Sequence, residues 1–283
     1  MKLTNMSELL LLLLFSSMAS SSASSDDDFV YAGCSQPKYD AASLYQSNLD
    51  ALFASLANSA AFSSYANFTS AAARGTPAAY GLFQCRGDVA VSECAACVHS
   101  CLSQLSALCP SAAGAFVQLR GCYLRYGNDS FLGKPDTSVL YKKCASPSAG
   151  GGHGDDESGM QLSMRDAALA ALQTSRGGSY RVGAAGEVKA VAQCVGDQSA
   201  NQCDECTAAA VARLREVCGL AGAGDAYLGK CYVRYSSEGV DTSHDDHGDE
   251  AGKTAAIIIG LIAGIALILL FLSFVRKAGN QGK

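Results

Sequence analysis

The stretch CRGDVAVSECAAC, residues 85–97, carries three cysteines in the spacing C-x8-C-x2-C, and CVGDQSANQCDEC repeats that spacing at residues 194–206. Two further cysteines follow each copy. The pentapeptide CYLRY at 122–126, which starts at the last of them, recurs as CYVRY at 231–235. Because self-similarity at matched spacing indicates a repeated structural unit, the chain is predicted to contain two small domains of one kind.

One more cysteine, upstream of the motif, completes the set of six in each copy, which we call its cysteine framework. Cys34 precedes Cys85 by 51 residues, and Cys144 precedes Cys194 by 50, so Cys144 belongs to the second copy. The thirteenth cysteine, Cys101, stands outside both frameworks, since Ala210 occupies the matching position in the second copy. Each domain therefore holds six cysteines: Cys34, Cys85, Cys94, Cys97, Cys109 and Cys122 in the first, and Cys144, Cys194, Cys203, Cys206, Cys218 and Cys231 in the second.

Both ends of the chain indicate the secretory pathway. Residues 1–25 are predicted to be a signal peptide with a basic Lys2 and an apolar run, Leu9–Phe15; an uncleaved anchor or a buried helix is the alternative. Ala255–Val275 is free of charge and long enough, at roughly 30 Å, to cross one hydrocarbon core. The basic residues that follow predict a cytosolic tail, 276–283, and a single-span protein with its N-terminus outside.

The compartment decides how the cysteines are interpreted. Thirteen cysteines in a secreted chain favour disulfides over zinc or redox chemistry, and six cysteines per domain allow 15 connectivities. The net charge of −5 argues against nucleic acid as a partner. We expect no metal and no cofactor. Two sequons make Asn67 and Asn128 candidate glycosylation sites.

Periodicity predicts an α+β fold for each domain. Apolar residues at helical spacing mark one helix near Tyr45–Leu56 and a second that begins near Ser92. Alternating segments before and after the second helix predict strands, and the helices are expected on one face of an antiparallel sheet. Cys101 lies on the apolar stripe of the second helix. It is predicted to be a free thiol in the core; the alternative is that it forms an intermolecular disulfide. The predicted bounds are 30–141 for the first domain, 142–236 for the second and 237–254 for an acidic stalk.

Nothing in the pattern indicates an enzyme. The chain has four histidines, three of them in low-complexity segments. The fourth, His99, is two residues from Cys101, so the two side chains cannot share a helix face. No nucleophile–base constellation is visible, and the eight-residue tail is too short for a kinase.

The cysteine pattern resembles the plant cysteine-rich domain typified by ginkbilobin, a seed antifungal lectin. The order of signal peptide, two such domains, one span and a very short tail resembles the plasmodesmata-located proteins, as do the phrases YGLFQCRGD at 80–88 and SECAAC at 92–97. The resemblance implies two helices packed on a five-stranded antiparallel sheet in each domain. It also implies six disulfides: Cys34–Cys109, Cys85–Cys94, Cys97–Cys122, Cys144–Cys218, Cys194–Cys203 and Cys206–Cys231.

The same resemblance implies a function. Such a protein would lie in the plasma membrane at plasmodesmata with its ectodomain in the apoplast, and would regulate cell-to-cell trafficking by promoting callose deposition as a scaffold or receptor. The implied partners are a callose synthase, a receptor or a viral movement protein. Gly260 and Gly264 form a G-x3-G pair that predicts self-association through the span.

The alternative function is a wall-facing carbohydrate-binding, antifungal or defence ectodomain. The mannose site of ginkbilobin has an Asn after the first cysteine, an Arg six residues before the last cysteine and a Glu five residues after it. The present chain departs from that pattern at all six positions, so mannose binding through that site is not expected. The residues found there are Ser35, Phe116, Gly127, Ala145, Asp225 and Ser236.

Overall fold

The computed structural model describes residues 29–71, 77–145, 155–174 and 178–237, with side chains in the 155–174 segment described from 159 onward. The predicted signal peptide, membrane span and tail lie outside these residues, as does the predicted stalk beyond Ser237. Among the helices within the described ranges, none combines the length and apolar character that crossing a membrane requires.

Two successive units with the same layout make up the described residues. The first contains β1 (Phe29–Cys34), α1 (Leu44–Ala60), β2 (Tyr65–Ser70), β3 (Ala79–Cys85), α2 (Val91–Leu108), β4 (Ala115–Leu119) and β5 (Cys122–Gly127). The second contains β6 (Val139–Cys144), α3 (Asp155–Thr174), β7 (Tyr180–Ala185), β8 (Val188–Cys194), α4 (Ala200–Cys218), β9 (Ala223–Leu228) and β10 (Cys231–Ser237).

Each unit forms one five-stranded antiparallel sheet, in the order β1-β4-β5-β3-β2 and β6-β9-β10-β8-β7. The α+β prediction is therefore confirmed for the residues that the structure describes. One bound differs: the second sheet starts at Val139, three residues before the predicted 142. Val139–Cys144 pairs with β9 and not with the first sheet, and Tyr141 is the register partner of Tyr227.

One helix in each unit, α2 in the first and α4 in the second, begins at a side-chain hydrogen bond to the backbone. The carboxylate of Glu93 accepts a hydrogen bond from the backbone N–H of Ala90, so α2 begins at Val91, one residue before Ser92, near which the sequence predicts its start. At α4 the hydroxyl of Ser199 accepts from the N–H of Gln202, whose own side chain accepts from Ser199. These contacts satisfy N–H groups that the first helical turn leaves without partners.

The core of each unit lies between its helices and one face of its sheet. In the first unit Leu52 and Val98 from the helices pack with Phe83 and Leu124 from the sheet, all at most 1% exposed. Since strand side chains alternate between faces, the other face of each sheet carries a second set of residues. That face is polar and aromatic, and it is where the two units meet.

Candidate functional site

The two units contact each other through a pair of equivalent hydrogen bonds. The Gln84 side chain accepts from the backbone N–H of Gly196 at 2.9 Å, and the Gln193 side chain accepts from the N–H of Gly87 at 3.2 Å. Gln84 and Gln193 each precede the first motif cysteine, and Gly87 and Gly196 each lie two residues after it. The contact therefore has approximate two-fold character, with the same patch used on both sides.

Both glycines are required for this approach. An ideal Cβ placed on Gly87 would lie 2.6 Å from the Cβ of Tyr180, and one on Gly196 would lie 2.7 Å from Cγ of Tyr65. Tyr65 and Tyr180 again occupy matching positions, paired with Gln84 and Gln193 in their sheets. In each unit the motif thus places a glycine of the turn against the tyrosine ring of the other unit.

Aromatic rings continue the contact along the interface. The ring of Tyr31 stacks on that of Tyr141 with centroids 5.3 Å apart and planes 7° apart, and Tyr227 meets Tyr31 edge-on at 5.3 Å. A β-bulge lies between Phe29 and Tyr31, and the matching bulge lies between Val139 and Tyr141. Because a bulge re-aims the next side chain, it explains how both tyrosines turn toward the partner sheet.

A buried ion pair closes one end of the interface. Lys230 binds Asp197, with side chains only 2% and 5% exposed. The segment that leaves the first unit covers the pair: the N–H of Gly133 donates to Asp197 at 2.8 Å, and the ring of Phe131 lies 5.3 Å from the Lys230 ammonium. Burial lowers the pKa of Lys230, and Asp197 opposes that shift without cancelling it.

A cleft of about 30 Å³, partly open to solvent, lies between the two sheets. Both units line it, and its polar lining residues are Tyr31, Gln84, Arg86, Gln118, Arg120, Tyr123, Gln193, Tyr227 and Tyr232. The Tyr123 hydroxyl is buried without a hydrogen bond of ordinary geometry. Burial, with Tyr123 and Tyr227 nearby, raises the pKa of Tyr31 well above its usual range. The tyrosines are therefore neutral donors at physiological pH.

Charge at the cleft comes from arginine. The Arg86 side chain donates to Asp88 at 2.5 Å and to the carbonyl of Arg120 at 3.1 Å. Burial alone would raise the pKa of Asp88, but its hydrogen bond to Arg86 and the charge of that residue lower it below the ordinary value. Asp88 lies beside the cleft, and none of the described residues that line the cleft is acidic.

Six disulfides hold the scaffold in place, and they join the cysteine pairs that the family resemblance implies: Cys34–Cys109, Cys85–Cys94, Cys97–Cys122, Cys144–Cys218, Cys194–Cys203 and Cys206–Cys231. Cys101 is a fully buried free thiol whose sulfur lies 3.4 Å from that of Cys122. Burial raises its pKa well above the usual range, so the thiol stays protonated. Although the sulfurs of Cys97, Cys101 and Cys122 cluster, two of them are bonded to each other and offer no thiolate to a metal.

The positions that match the ginkbilobin sugar site have other contacts here. The Ser35 hydroxyl accepts from Gly114 and donates to the carbonyl of Pro37. Phe116 meets the ring of Tyr31 edge-on, and Asp225 accepts from Arg234 at 2.8 Å. These three side chains thus form contacts within the fold and at the interface.

The remaining predicted residues are spread over the surface or lie outside the described ranges. Asn67 is exposed on β2, an edge strand, and its amide donates to the Tyr65 hydroxyl at 2.6 Å. Asn128 is exposed just after β5. His99 is exposed on α2 whereas Cys101 is buried, so the two side chains are not brought together. Gly260 and Gly264 lie outside the described residues.

Sequence reasoning missed the interface, although a signal for it is present. Both copies contain Q-C-x-G-D, from Gln84 to Asp88 and from Gln193 to Asp197. The glutamine and the glycine of each copy form the hydrogen bonds between the units. The aspartate of each copy forms an ion pair beside that contact. The first copy of this pentapeptide lies within YGLFQCRGD, which supports the family resemblance but gives no indication by itself of a contact between the units.

Comparison with known proteins agrees with this architecture. Residues 33–129 and 155–238 match the family described as salt stress response/antifungal. The chain is 44% identical to plasmodesmata-located protein 6 of Arabidopsis thaliana, over 90% of each chain, and 45% identical to plasmodesmata-located protein 7 of that plant, over 90% of this chain and 84% of the relative. The crystal structure of the tandem DUF26 ectodomain of the A. thaliana cysteine-rich receptor-like protein PDLP8 is similar with a TM-score of 0.69 and 39% identity, covering 75% of this chain and 100% of that one. With the repeated motif, the paired sheets and these relatives in agreement, the chain belongs to the plasmodesmata-located protein family.

Proposed function

We propose that this chain is a non-enzymatic, receptor-like membrane protein of plasmodesmata that regulates traffic between neighbouring cells. The observation that carries the proposal is the match to plasmodesmata-located proteins over nine-tenths of the chain, which includes both cysteine-rich units. In this view the ectodomain faces the apoplast, the segment 255–275 spans the plasma membrane, and regulation acts by promoting callose deposition at the channel.

The arrangement of side chains favours scaffolding over catalysis. The imidazole of His99 and the thiol of Cys101 do not form a catalytic pair, because His99 is exposed to solvent and Cys101 is buried in the core. The contact between units instead gives one body with two equivalent halves, which suits recognition of a second molecule. A callose synthase, a receptor and a viral movement protein are the partners we would test first, and Gly260 with Gly264 would support self-association within the membrane.

The proposal is tested by imaging the fluorescently tagged full chain in leaf epidermis beside a chain that lacks 255–275. We expect the full chain in wall puncta that coincide with a plasmodesmal marker, and the deleted chain spread evenly through the apoplast. Puncta formed by the deleted chain would refute a targeting role for the span. Absence of puncta from the full chain would refute the proposed location.

A second candidate function is carbohydrate binding or defence at the wall, and the cleft between the sheets favours it. The cleft is aromatic and polar, features that small-ligand sites share. Because Ser35, Phe116 and Asp225 contact other parts of the fold, a glycan array should show no mannose binding through the ginkbilobin-type site. Strong mannose binding would overturn that expectation.

A further inference from the structure

Three sulfurs of the first unit meet between α2 and β5. Cys97 and Cys101 lie one helical turn apart on the same face of α2, and Cys122 is the first residue of β5. Cys97 is bonded to Cys122, and the Cys101 sulfur lies 3.4 Å from that of Cys122. Because all three sulfurs lie within 4.8 Å of one another, Cys122 has two cysteines of one helix within reach.

A disulfide can change partners when a thiol lies against one of its sulfurs. A thiolate attacks that sulfur, a new bond forms, and the other sulfur of the old bond leaves as a thiolate. Here a bond would form between Cys101 and Cys122, the bond between Cys97 and Cys122 would break, and Cys97 would end with the proton that Cys101 gives up. The number of disulfides does not change, so the step needs neither an oxidant nor a reductant.

The two bonding arrangements are similar in what they do for the fold. Either bond fastens α2 to β5, and Cys122 is 25 residues from Cys97 and 21 from Cys101. Since the entropy of loop closure changes slowly with loop length, chain entropy hardly distinguishes the two arrangements. They differ in where the free thiol lies, because Cys101 is fully buried and Cys97 is partly exposed.

The geometry and burial of the cluster make the exchange slow. Burial raises the pKa of the Cys101 thiol, so the reactive thiolate is scarce. The three sulfurs are also bent rather than in line, so the Cys101 side chain must rotate before it attacks. Uncatalysed disulfide rearrangement takes minutes to hours, and we expect this exchange at the slow end of that range.

The second unit has the matching disulfide without the neighbouring thiol. Cys206 is bonded to Cys231, and Ala210 occupies the position that corresponds to Cys101. Cys101 is the one free cysteine among the residues that the structure describes. The bond between Cys206 and Cys231 therefore cannot change partners in this way, and the second unit serves as an internal control.

We propose that the disulfide at Cys122 is exchangeable: Cys122 is bonded to Cys97 in one form of the first unit and to Cys101 in the other. The exchange carries the free thiol from the core to the partly exposed Cys97, so α2 gains a reactive site that the form with a buried thiol lacks. This inference goes beyond the proposed function and depends neither on where the protein resides nor on what it binds.

Labelling of the purified, unreduced full chain in detergent micelles with N-ethylmaleimide tests the proposal. The folded chain is incubated with the reagent for several hours, digested at acidic pH, where thiolates are scarce and scrambling stops, and mapped by tandem mass spectrometry without reduction. We expect the adduct on Cys97 together with a bond between Cys101 and Cys122. An adduct on Cys101 with the original bond intact, or no adduct at all on the folded chain, would overturn the proposal.

Substitutions in the two units separate exchange from simple opening of the core. Cys101→Ala, which copies the second unit, should abolish labelling of the folded chain. Cys97→Ser should leave Cys101 bonded to Cys122 and no free thiol in the first unit. The matched change Cys206→Ser should instead leave a free thiol at Cys231. Undiminished labelling in Cys101→Ala, or free thiols at both Cys101 and Cys122 in Cys97→Ser, would overturn the proposal.

Melting temperatures accompany the mapping. Because Cys97→Ser keeps a bridge between α2 and β5, it should lower the melting temperature less than Cys206→Ser does. Ala210 shows that this position of the fold accommodates a small side chain, so Cys101→Ala should fold. If either serine variant fails to fold, labelling of the original chain beside Cys101→Ala still decides the question.

Discussion

Lys230 forms an ion pair inside the second unit that the segment after β5 covers. Its ammonium and the carboxylate of Asp197 are almost fully buried, and the segment through Phe131 and Gly133 covers them. In the first unit the equivalent aspartate, Asp88, is partly exposed and is paired with Arg86. The two units thus satisfy the same motif carboxylate with different cations, and only the second pair is sealed by the inter-domain segment.

Replacing Lys230 with methionine should cost about 3–5 kcal/mol of unfolding free energy, because it leaves the Asp197 carboxylate buried without its cation. The double variant Lys230→Met with Asp197→Leu should recover most of that loss. Denaturant unfolding of the secreted ectodomain measures both. Arg213→Met breaks an exposed pair with Glu216 and should cost less than about 1 kcal/mol. Equal losses for Lys230→Met and Arg213→Met would contradict this account.

Two surface carboxylates predict the response to acid. Burial would raise the pKa of Asp88 and of Asp166, but arginine contacts outweigh it, so both fall below the ordinary 3.8. Their stabilisation is complete above that value and is lost as pH falls through the lower folded pKa. The contribution of these groups to the melting temperature should therefore stay constant between pH 7 and 5, and it should be lost below about pH 4.

The matched variant Asp88→Asn with Asp166→Asn should show a shallower acid drop. Because both side chains are 46% exposed, each contributes less than about 1 kcal/mol. If calorimetry gave the original protein and the double variant the same fall in melting temperature with acid, these ion pairs would not be the cause of that fall.

At the scale of elements, the turns that follow β3 and β8 decide whether the sheets can meet. Gly87→Ala and Gly196→Ala place a methyl group within 3 Å of Tyr180 and Tyr65, so each should weaken the contact between units. We expect the double variant to separate them, seen as a larger radius of gyration in solution scattering and faster proteolysis near residues 128–138.

Gly159→Ala is the control for these variants, because a Cβ at that helical position meets nothing within 4 Å. It should leave both measurements unchanged and can slightly stabilise α3. An unchanged radius in the Gly87/Gly196 double variant would show that the contact tolerates the methyl groups.

The edge strand β2 carries the first sequon in an accessible position. Asn67 is exposed there, and Asn128 is exposed after β5, so we expect both to carry glycans in a plant secretory host. Asn67→Gln and Asn128→Gln should each remove one glycan-sized step from the electrophoretic mobility, and glycosidase treatment should merge all forms. A mobility unaffected by either substitution would contradict site use.

These elements also show how far the sequence alone reaches. Helical periodicity predicts α1, whereas α2 begins at Val91, one residue before the predicted start near Ser92, because the Glu93 carboxylate accepts a hydrogen bond from the N–H of Ala90. The predicted boundary between residues 141 and 142 divides strand β6, because Cys144 is the only sequence signal for the start of the second unit. The face that joins the sheets escaped prediction, since its alternating Tyr and Gln residues look the same as a solvated strand face.

For the whole molecule, the architecture separates stability from recognition. Six disulfides and two helix-covered cores make each unit stable, and the opposite sheet faces are left for contact and binding. A tandem receptor-like body of this kind can act at a channel only if the chain is held there. The proposed regulation of cell-to-cell traffic must therefore be tested with the full chain.

The most direct measurement is the cell-to-cell spread of a mobile fluorescent protein in leaves that overexpress the full chain, with callose stained in the same cells. The account predicts fewer cells reached and more callose at the puncta than with the chain lacking 255–275. Unchanged spread and unchanged callose in the presence of correctly placed puncta would contradict it.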